Sequence, residues 1–254
     1  MRFDITWVET LDSTNSYLKA RQDRLPRYPT PVIAARQQRS GRGREARYWL
    51  SAPYKDIACS LLLPTRAPLH HLPSLTMAVA LAVRAMLSDT YAIPAAVKWP
   101  NDVLVHGRKI CGILSELLPD NGAIPGHRVL VGIGLNVGMA PEMLATIDQP
   151  ATSMSVESSS HFIVDTVLET FLATLPPWLA RWEEGGFSAL RSEWLRHEQR
   201  LHTQIRVKQG KTALYGILEG FGDDGELLLR DAEGRIIPCI HGDVFHDTRS
   251  APPS

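Results

Sequence analysis

The sequence predicts an α+β protein, with a mixed β-sheet and helices over residues 1 to about 200 and a small β-barrel after them. Short apolar runs bounded by turn residues predict buried strands at 31–35, 57–63 and 128–137. Apolar residues at helical spacing predict core helices within 72–87 and 151–199. The pattern then changes to short strands with glycine turns, typical of a small barrel, at 203–207, 213–221, 226–229 and 236–240.

Length and charge balance limit the class of protein. The 254 residues fit one large and one small domain, and the change of pattern predicts domains 1–200 and 201–254. The 27 Lys and Arg residues balance 27 Asp and Glu residues, whereas nucleic-acid-binding domains usually carry a basic excess. We therefore expect no nucleic-acid partner.

The metal-ligand and targeting signals are weak. The cysteines form no CxxC pair, so neither a disulfide framework nor a cysteine-based zinc site is expected; they are Cys59, Cys111 and Cys239. His70 and His71 precede a predicted helix and are expected to be helix-entry residues rather than ligands. The N-terminus has no signal-peptide pattern, and no run of about 18 apolar residues predicts a membrane span. A cytoplasmic protein is expected.

The first candidate site lies at 12–18. Asp12, Ser13 and Thr14 are strong N-cap residues, and Tyr17 and Leu18 supply a helical apolar face. One interpretation is a plain helix start. The other is that consecutive hydrogen-bonding side chains hold a small polar group beside free helix N–H groups.

The second candidate is the loop 36–49, which combines five arginines with two glycines. Gly41 and Gly43 allow the backbone to approach a ligand closely. One interpretation is a phosphate-gripping lid, with guanidinium forks and with Tyr48 or Trp49 to stack or exclude water. A flexible basic loop is the alternative. No Gly-Lys-Ser/Thr follows, so this is not a Walker A loop.

A predicted hairpin at 98–116 contains several charged and amide side chains close together. The letters KWPND at 98–102 precede a short strand, a turn at 106–107 and a second strand. Since Pro100 cannot donate to a central ladder, the KWPND stretch should lie where a strand bends or ends. Amides, a carboxylate and cations there suit an anionic ligand with its metal, and a solvated surface hairpin is the alternative. The hairpin should bring together Lys98, Asn101, Asp102, Arg108 and Lys109.

The strand at 128–137 contains Gly132 and Gly134, which are expected where something bulky comes close. Asn136 at its end is either a ligand contact or a turn-forming residue. The dipeptide Asn121-Gly122 predicts a turn before this strand.

Five motifs in order resemble those of the biotin protein ligase family, the biotin–[acetyl-CoA-carboxylase] ligases. They are DSTN at 12–15, Gln38 with GRGR at 41–44, KWPND at 98–102, RK and GIL within 108–114, and the Gly132, Gly134 and Asn136 set. The terminal strands resemble that family's SH3-like domain, so the resemblance covers nearly the whole chain. With no helix-turn-helix module before the first motif, the chain resembles the ligase-only members without an N-terminal DNA-binding domain.

The resemblance implies a class II synthetase-like catalytic domain and a two-step reaction. Biotin attacks the α-phosphate of ATP, the co-substrate, giving biotinyl-5′-AMP and pyrophosphate. A lysine of a carboxylase's biotin carboxyl-carrier domain then takes the biotinyl group. Mg²⁺ is the implied cofactor and no membrane partner is expected, while the oligomeric state stays open.

The resemblance also implies roles residue by residue. Biotin binding is implied for Ser13, Thr14, Asn15, Gln38, Arg42, Gly43, Arg44, Lys109 and Gly112. The first step brings two anions together, so cations must neutralise both, and catalysis is implied for Lys109, Arg42 and Arg44. Nucleotide binding is implied for Trp49, Asn101, Asp102 and Asn136, with Asp102 near Mg²⁺.

Two alternatives remain open. Lipoate–protein ligases and octanoyltransferases share the fold and also modify a lysine, although GRGR and KWPND favour biotin. A biotin-binding sensor without catalysis is the other, although Lys109 and the loop arginines are intact. One departure stands out: the family usually continues GRGR with Arg-Gly, and here Glu45-Ala46 follow. A less positive lid without glycine's freedom predicts modestly faster release of the adenylate.

Overall fold

The computed structural model describes residues 1–119 and 126–246, so the predicted turn at Asn121-Gly122 lies outside the described residues. The strands are β1 (Phe3–Leu11), β2 (Thr30–Gln38), β3 (Ile57–Thr65), β4 (Ala95–Lys98), β5 (Asp102–Val105), β6 (Arg108–Leu117), β7 (His127–Leu135), β8 (Gln204–Gln209), β9 (Thr212–Phe221), β10 (Leu227–Arg230), β11 (Ile236–Cys239) and β12 (Asp243–His246). The α-helices are α1 (Thr14–Lys19), α2 (Leu75–Ala85), α3 (Pro141–Leu144), α4 (Met154–Ser158), α5 (Val164–Gly185) and α6 (Arg191–His197).

The first seven strands form one mixed sheet in the order β1-β2-β3-β7-β6-β5-β4. β1 pairs with β2 in parallel, and the other neighbours pair antiparallel. The mixed sheet expected from the sequence is therefore confirmed. Gly134 of the central β7 lies opposite Ala58 of β3 and Gly112 of β6, so two glycines stand side by side.

Helices α2 and α5 pack on each other and build the core. All eleven residues of α2 are buried, because the helix has its own apolar residues on every side and packs into the core. The helical segment Leu69–Thr90 has the length and composition that could cross a membrane. However, 83% of its most apolar window is buried inside the protein, as expected of a core helix.

The last five strands form a separate antiparallel sheet in the order β11-β10-β9-β8-β12. Within residues 1–119 and 126–246, its edge strands β11 and β12 do not pair with each other, so the predicted closed barrel is not confirmed. The sequence reasoning missed β12, a four-residue edge strand. It also missed β1, although Phe3, Ile5 and Trp7 alternate with polar residues there.

The two sheets share one apolar core. Phe187, Trp194 and Phe221 form T-shaped pairs with centroids 6.0–6.4 Å apart across the junction. The indole N–H of Trp99 donates to the carbonyl of Gly225 in the second sheet, at 2.9 Å. Because the buried cluster continues across the junction, the division near residue 200 stays a prediction.

Candidate active site

Both sheets contribute walls to a cavity of about 590 Å³. The arginine-rich loop, the start of α1, the β4–β5 turn, β6 and β7 line it, and β12 of the second sheet reaches it. The structure brings together all the residues to which the resemblance assigns a role: Ser13, Thr14, Asn15, Gln38, Arg42, Gly43, Arg44, Trp49, Asn101, Asp102, Lys109, Gly112 and Asn136. Their binding and catalytic roles stay predictions.

One end of the cavity is a hydrogen-bonded polar network. The backbone N–H and hydroxyl of Thr14 donate to Gln38 Oε1 at 2.9 and 3.1 Å. The hydroxyl of Ser60 lies 2.7 Å from Thr14 Oγ1 and 2.5 Å from Asn15 Oδ1. Asn15 Nδ2 in turn donates to Glu116 Oε1 at 3.2 Å. This end can therefore offer both donors and acceptors to a small polar ring.

The helix that begins at Thr14 is also capped by a side chain at its N-terminus. Ser13 is the N-cap of α1, and its hydroxyl accepts from Ser16 N at 3.4 Å. The helix start is therefore confirmed, since Ser13 caps α1. Thr14 and Asn15 line the cavity, and that they hold a small polar group stays a prediction.

Glu116 joins the polar network to the cations. It forms ion pairs with Lys19 at 2.9 Å and with Arg42 at 3.5 Å. Burial alone would raise the pKa of Glu116, but hydrogen bonds from Lys19 and Asn15 and the charges of Lys19 and Arg42 lower it overall. The carboxylate is therefore ionised near neutral pH.

The opposite end of the cavity is built on the β4–β5 turn. Asn101 is buried, with its Nδ2 donating to Ile113 O at 2.7 Å and its Oδ1 accepting from Arg44 at 3.0 Å. Asp102 Oδ1 lies 2.7 Å from Lys109 Nζ, and both side chains are largely buried. The turn predicted from Pro100 thus holds an amide and an ion pair against the cavity.

Lys109 is fixed by its backbone as well as by Asp102. Its N–H donates to Pro150 O at 2.8 Å, and its carbonyl accepts from Thr152 N at 2.9 Å. The pairing of β5 with β6 shifts register just after Lys109, and such bulges re-aim neighbouring side chains. Arg108, in contrast, pairs with Glu157 at 2.9 Å and does not line the cavity.

The arginine-rich loop folds back on itself over the cavity. Trp49 N donates to Gly41 O at 2.8 Å and Gly43 N donates to Arg47 O at 2.7 Å. Arg44 and Arg47 both reach Asp243 of β12, at 3.6 and 2.9 Å. A latch between Asp243 and these two arginines therefore ties the loop to the second sheet.

The loop's left-handed residue is not the one expected. Glu45 has φ 53°, so the conformation that favours glycine falls on position 45 rather than on Ala46. Glu45 is exposed, and within the described part of the chain no ion pair involves it. The arginines pair instead with Glu116 and Asp243.

Trp49 fills the space left by glycines. A Cβ on Gly134 would lie 2.2 Å from Trp49 Cε2, and one on Gly112 would lie 2.9 Å from Cζ3. The indole also lies 5.4 Å from Lys109 Nζ. At Gly132 a Cβ would meet Asn15 Oδ1 at 2.3 Å. The expectation that something bulky approaches the β7 glycines is confirmed.

Sequence reasoning missed several residues that the structure puts in or beside the cavity. Ser60 is a polar residue inside an apolar strand, a signal that could have found it. Asp243 and Phe245 carried no such signal, because β12 is short and lies far along the chain from the other residues that line the cavity. Lys98 was expected beside the other charged groups of the hairpin, and it lies near enough to Asp102 and Lys109 to feel their charges, although it does not line the cavity; burial lowers the pKa of its ammonium group.

The fold and the cavity define a mixed-sheet protein with a cavity rimmed by Lys109, Arg42 and Arg44, and this positive charge suits a small anionic ligand. Residues 7–136 match the model of the biotin/lipoate A/B protein ligase family. The chain is 37% identical to a biotin–[acetyl-CoA-carboxylase] ligase of Paracoccus denitrificans over 215 residues, which cover 82% of this chain and 87% of that relative. The chain therefore belongs to the biotin/lipoate A/B protein ligase family.

Two further similarities agree with this. The chain is 30% identical to the bifunctional ligase/repressor BirA of Bacillus subtilis over 204 residues, or 80% of this chain and 62% of that protein. In structure it is similar to a biotin protein ligase of Aquifex aeolicus in complex with biotin and ATP, with a TM-score of 0.79 and 27% identity. That alignment covers 95% of this chain and 97% of the other.

Proposed function

We propose that the protein activates biotin with ATP to biotinyl-5′-AMP and transfers the biotinyl group to a lysine of a carboxylase acceptor domain. The observation that carries this proposal is the cavity, which has a polar hydrogen-bonding end and an end rimmed by Lys109, Arg42 and Arg44. A substrate with a polar ring at one end and a carboxylate at the other fits that division. The relatives named above support biotin and ATP as the two substrates.

The polar network favours biotin over lipoate. The ureido ring of biotin offers one carbonyl and two N–H groups, which can exchange with Thr14, Asn15, Gln38 and Ser60. The dithiolane ring of lipoate has no N–H or carbonyl group and would leave these buried polar groups without a ligand partner. A site built to hydrogen-bond its substrate discriminates strongly against an analogue that lacks those groups.

In the first step, a biotin carboxylate oxygen attacks the α-phosphorus of ATP, and the bond to the bridging oxygen of pyrophosphate breaks. Both reactants are anions, so their approach needs fixed positive charge. Lys109 is held by Asp102 at 2.7 Å and can donate its other N–H bonds to the carboxylate and the phosphate. Arg42 and Arg44, on the folded loop, would bind the phosphate oxygens.

In the second step, the acceptor lysine amine attacks the biotinyl carbonyl carbon, and AMP leaves as the carbon–oxygen bond breaks. The amine loses its proton to solvent as the amide forms. Within the residues that the structure describes, this scheme needs no covalent nucleophile, and Cys59 and Cys111 are buried. Trp49 between Gly112 and Gly134 would shield the reactive mixed anhydride from water.

Mg²⁺ is part of the proposal as a companion of ATP. Its preferred ligands are oxygens, and the cavity offers the Asp102 carboxylate and Asn136 Oδ1, a buried atom with no hydrogen-bond partner among the described residues. These two groups would hold the ion, which supplies charge neutralisation on the phosphates.

We also propose that the chain divides into two domains near residue 200 and that the protein works in the cytoplasm.

Adenylate formation without an acceptor tests the proposal against a non-catalytic biotin sensor. With biotin and Mg-ATP, we expect release of about one pyrophosphate per protein, because without an acceptor biotinyl-AMP should stay bound in the cavity. Lipoate in place of biotin serves as the substrate control. Biotin binding without pyrophosphate release would identify a sensor, and faster release with lipoate would identify a lipoate ligase.

A further inference from the structure

A second group of side chains with metal-ligand chemistry lies outside the cavity. His70 and His71 belong to the 3₁₀ helix Leu69–Ser74 that leads into α2, and Asp224 lies in the turn between β9 and β10. One ring nitrogen of each histidine and one oxygen of Asp224 all lie within 4.8 Å of one another. Two parts of the chain about 150 residues apart therefore converge on one point.

The ligand atoms of the three side chains are close enough together to share one ion. His70 Nε2 lies 3.9 Å from Asp224 Oδ1, and the two imidazole rings meet edge to face with centroids 4.4 Å apart. Donors around a tetrahedral ion with bonds of about 2.1 Å are about 3.4 Å apart, so His70 and Asp224 need to approach each other by only about 0.5 Å. His70 and Asp224 are half exposed and free to make it.

His71 supplies an independent observation. Its Nδ1 atom is buried and, within residues 1–119 and 126–246, has no hydrogen-bond partner. Buried polar atoms normally have a partner, and an orphan in a native structure calls for one. Gly186 lies against the ring, where a Cβ would come within 2.8 Å of it, so the ring is held in place.

We propose that His70, His71 and Asp224 form a binding site for a divalent transition-metal ion such as Zn²⁺, which joins the second sheet to the helical layer. Two imidazoles and one carboxylate suit zinc, with water completing the shell. Ca²⁺ and Mg²⁺ prefer sets made only of oxygen. The neighbouring Asp223 pairs with Arg191, which leaves Asp224 available.

The site has a structural consequence for the cavity. Gly225, next to Asp224, accepts the indole N–H of Trp99, and Trp99 lies in the turn that presents Asn101 and Asp102. An ion at Asp224 would fix the 222–226 turn against the 3₁₀ helix Leu69–Ser74 and therefore support the β4–β5 turn from behind. The metal site lies outside the cavity proposed for biotin and ATP, and the proposal for it does not depend on the proposed reaction.

Metal binding by the full-length protein tests this proposal. We expect the chelator-treated protein to bind one Zn²⁺ by calorimetry, to gain a higher Tm with Zn²⁺, and to respond to neither Ca²⁺ nor Mg²⁺. His70→Ala and Asp224→Asn should weaken binding by more than about tenfold, since even changes outside the ligand shell cost about that much. Both side chains are exposed, so metal-free Tm should not change.

Two controls make the result decisive. His161→Ala removes an exposed histidine outside the cluster and should bind Zn²⁺ like the unmodified protein. Hydrogen exchange in 222–226 should slow with Zn²⁺ in the unmodified protein and not in Asp224→Asn. Absence of Zn²⁺ binding, or equal binding by His70→Ala, Asp224→Asn and His161→Ala, would overturn the proposal.

Discussion

At the residue scale, Lys109 is the side chain whose loss should slow the proposed reaction most directly. Its ammonium group is a mostly buried cation of the cavity, and Asp102 and the 150–152 backbone fix it from two sides. Lys109→Ala should slow adenylate formation by about 10²- to 10³-fold, as for loss of one preorganised donor. Pyrophosphate release in single turnover measures this.

The chain offers a matched control for that change. Arg108 is the preceding residue of the same strand, but it pairs with Glu157 outside the cavity. Arg108→Ala should therefore leave the adenylation rate nearly unchanged. If the two variants lose the same activity, the effect comes from disruption of the hairpin and not from the charge of Lys109.

Gly134 tests the wall that Trp49 forms. A Cβ at this position would lie 2.2 Å from the indole, so Gly134→Ala must move Trp49 or the β7 backbone. Since small misplacements in a site cost large factors, biotin activation should fall by about tenfold or more. Gly220→Ala is the control, because a Cβ there meets nothing within 4 Å. Equal activity of both variants would contradict the role given to Trp49.

At the element scale, the Asp243 latch joins a loop of the first sheet to an edge strand of the second. Asp243 lies near the surface, where its pair with the half-exposed Arg47 is worth about 1 kcal/mol or less, so Asp243→Asn should speed release of biotinyl-AMP by only about fivefold. Adenylation itself should change little, because Arg44 keeps its bond to Asn101.

Dissociation of labelled adenylate measures the effect. Asp231→Asn removes an aspartate that pairs with Arg235 within the second sheet, and it should release the adenylate at the normal rate. Unchanged release from Asp243→Asn would show that the latch does not hold the loop closed.

Asp56 joins two further segments beside the site. Its Oδ2 accepts from Ala52 N at 2.7 Å and its Oδ1 from Val137 N at 2.8 Å. Burial raises the pKa of Asp56 from 3.8 to about 6, although backbone N–H groups oppose the shift. The folded protein therefore holds a proton that the unfolded chain releases between these pH values.

That difference has a definite sign. Because the folded-state pKa is the higher one, the contribution of Asp56 to stability is largest below pH 4 and falls by about 3 kcal/mol as the pH rises through 6. Asp56→Asn cannot ionise and should lose this slope, while being less stable overall. Denaturant unfolding from pH 4 to 7 measures both chains. Parallel pH profiles would contradict the assignment.

At the scale of the whole molecule, the sequence predicted the parts that depend on local pattern. The buried strands β3 and β7 and the β5–β6 hairpin follow from apolar runs and a glycine turn. The order of the sheet, with β7 between β3 and β6, could not be predicted, because strand pairing is set by packing between distant segments.

The site divides in the same way. Motif residues such as Asn15, Gln38 and Lys109 could be found, since each stands in a recognisable local pattern. Asp243 and Phe245 could not, because only the docking of the second sheet brings β12 to the cavity. Lys98 lies near Asp102 and Lys109, as the hairpin predicted, but its Nζ is 5.6 Å from the Phe245 ring centroid and its side chain does not line the cavity.

The measurement that tests the central claim most directly is transfer of labelled biotin to a purified biotin carboxyl-carrier domain. With Mg-ATP, the account predicts one label per acceptor at its target lysine, as an amide that survives hydroxylamine. Omission of ATP should abolish labelling, and Lys109→Ala should slow it by the factor given above. No labelling of the acceptor, or labelling that proceeds without ATP, would contradict the account.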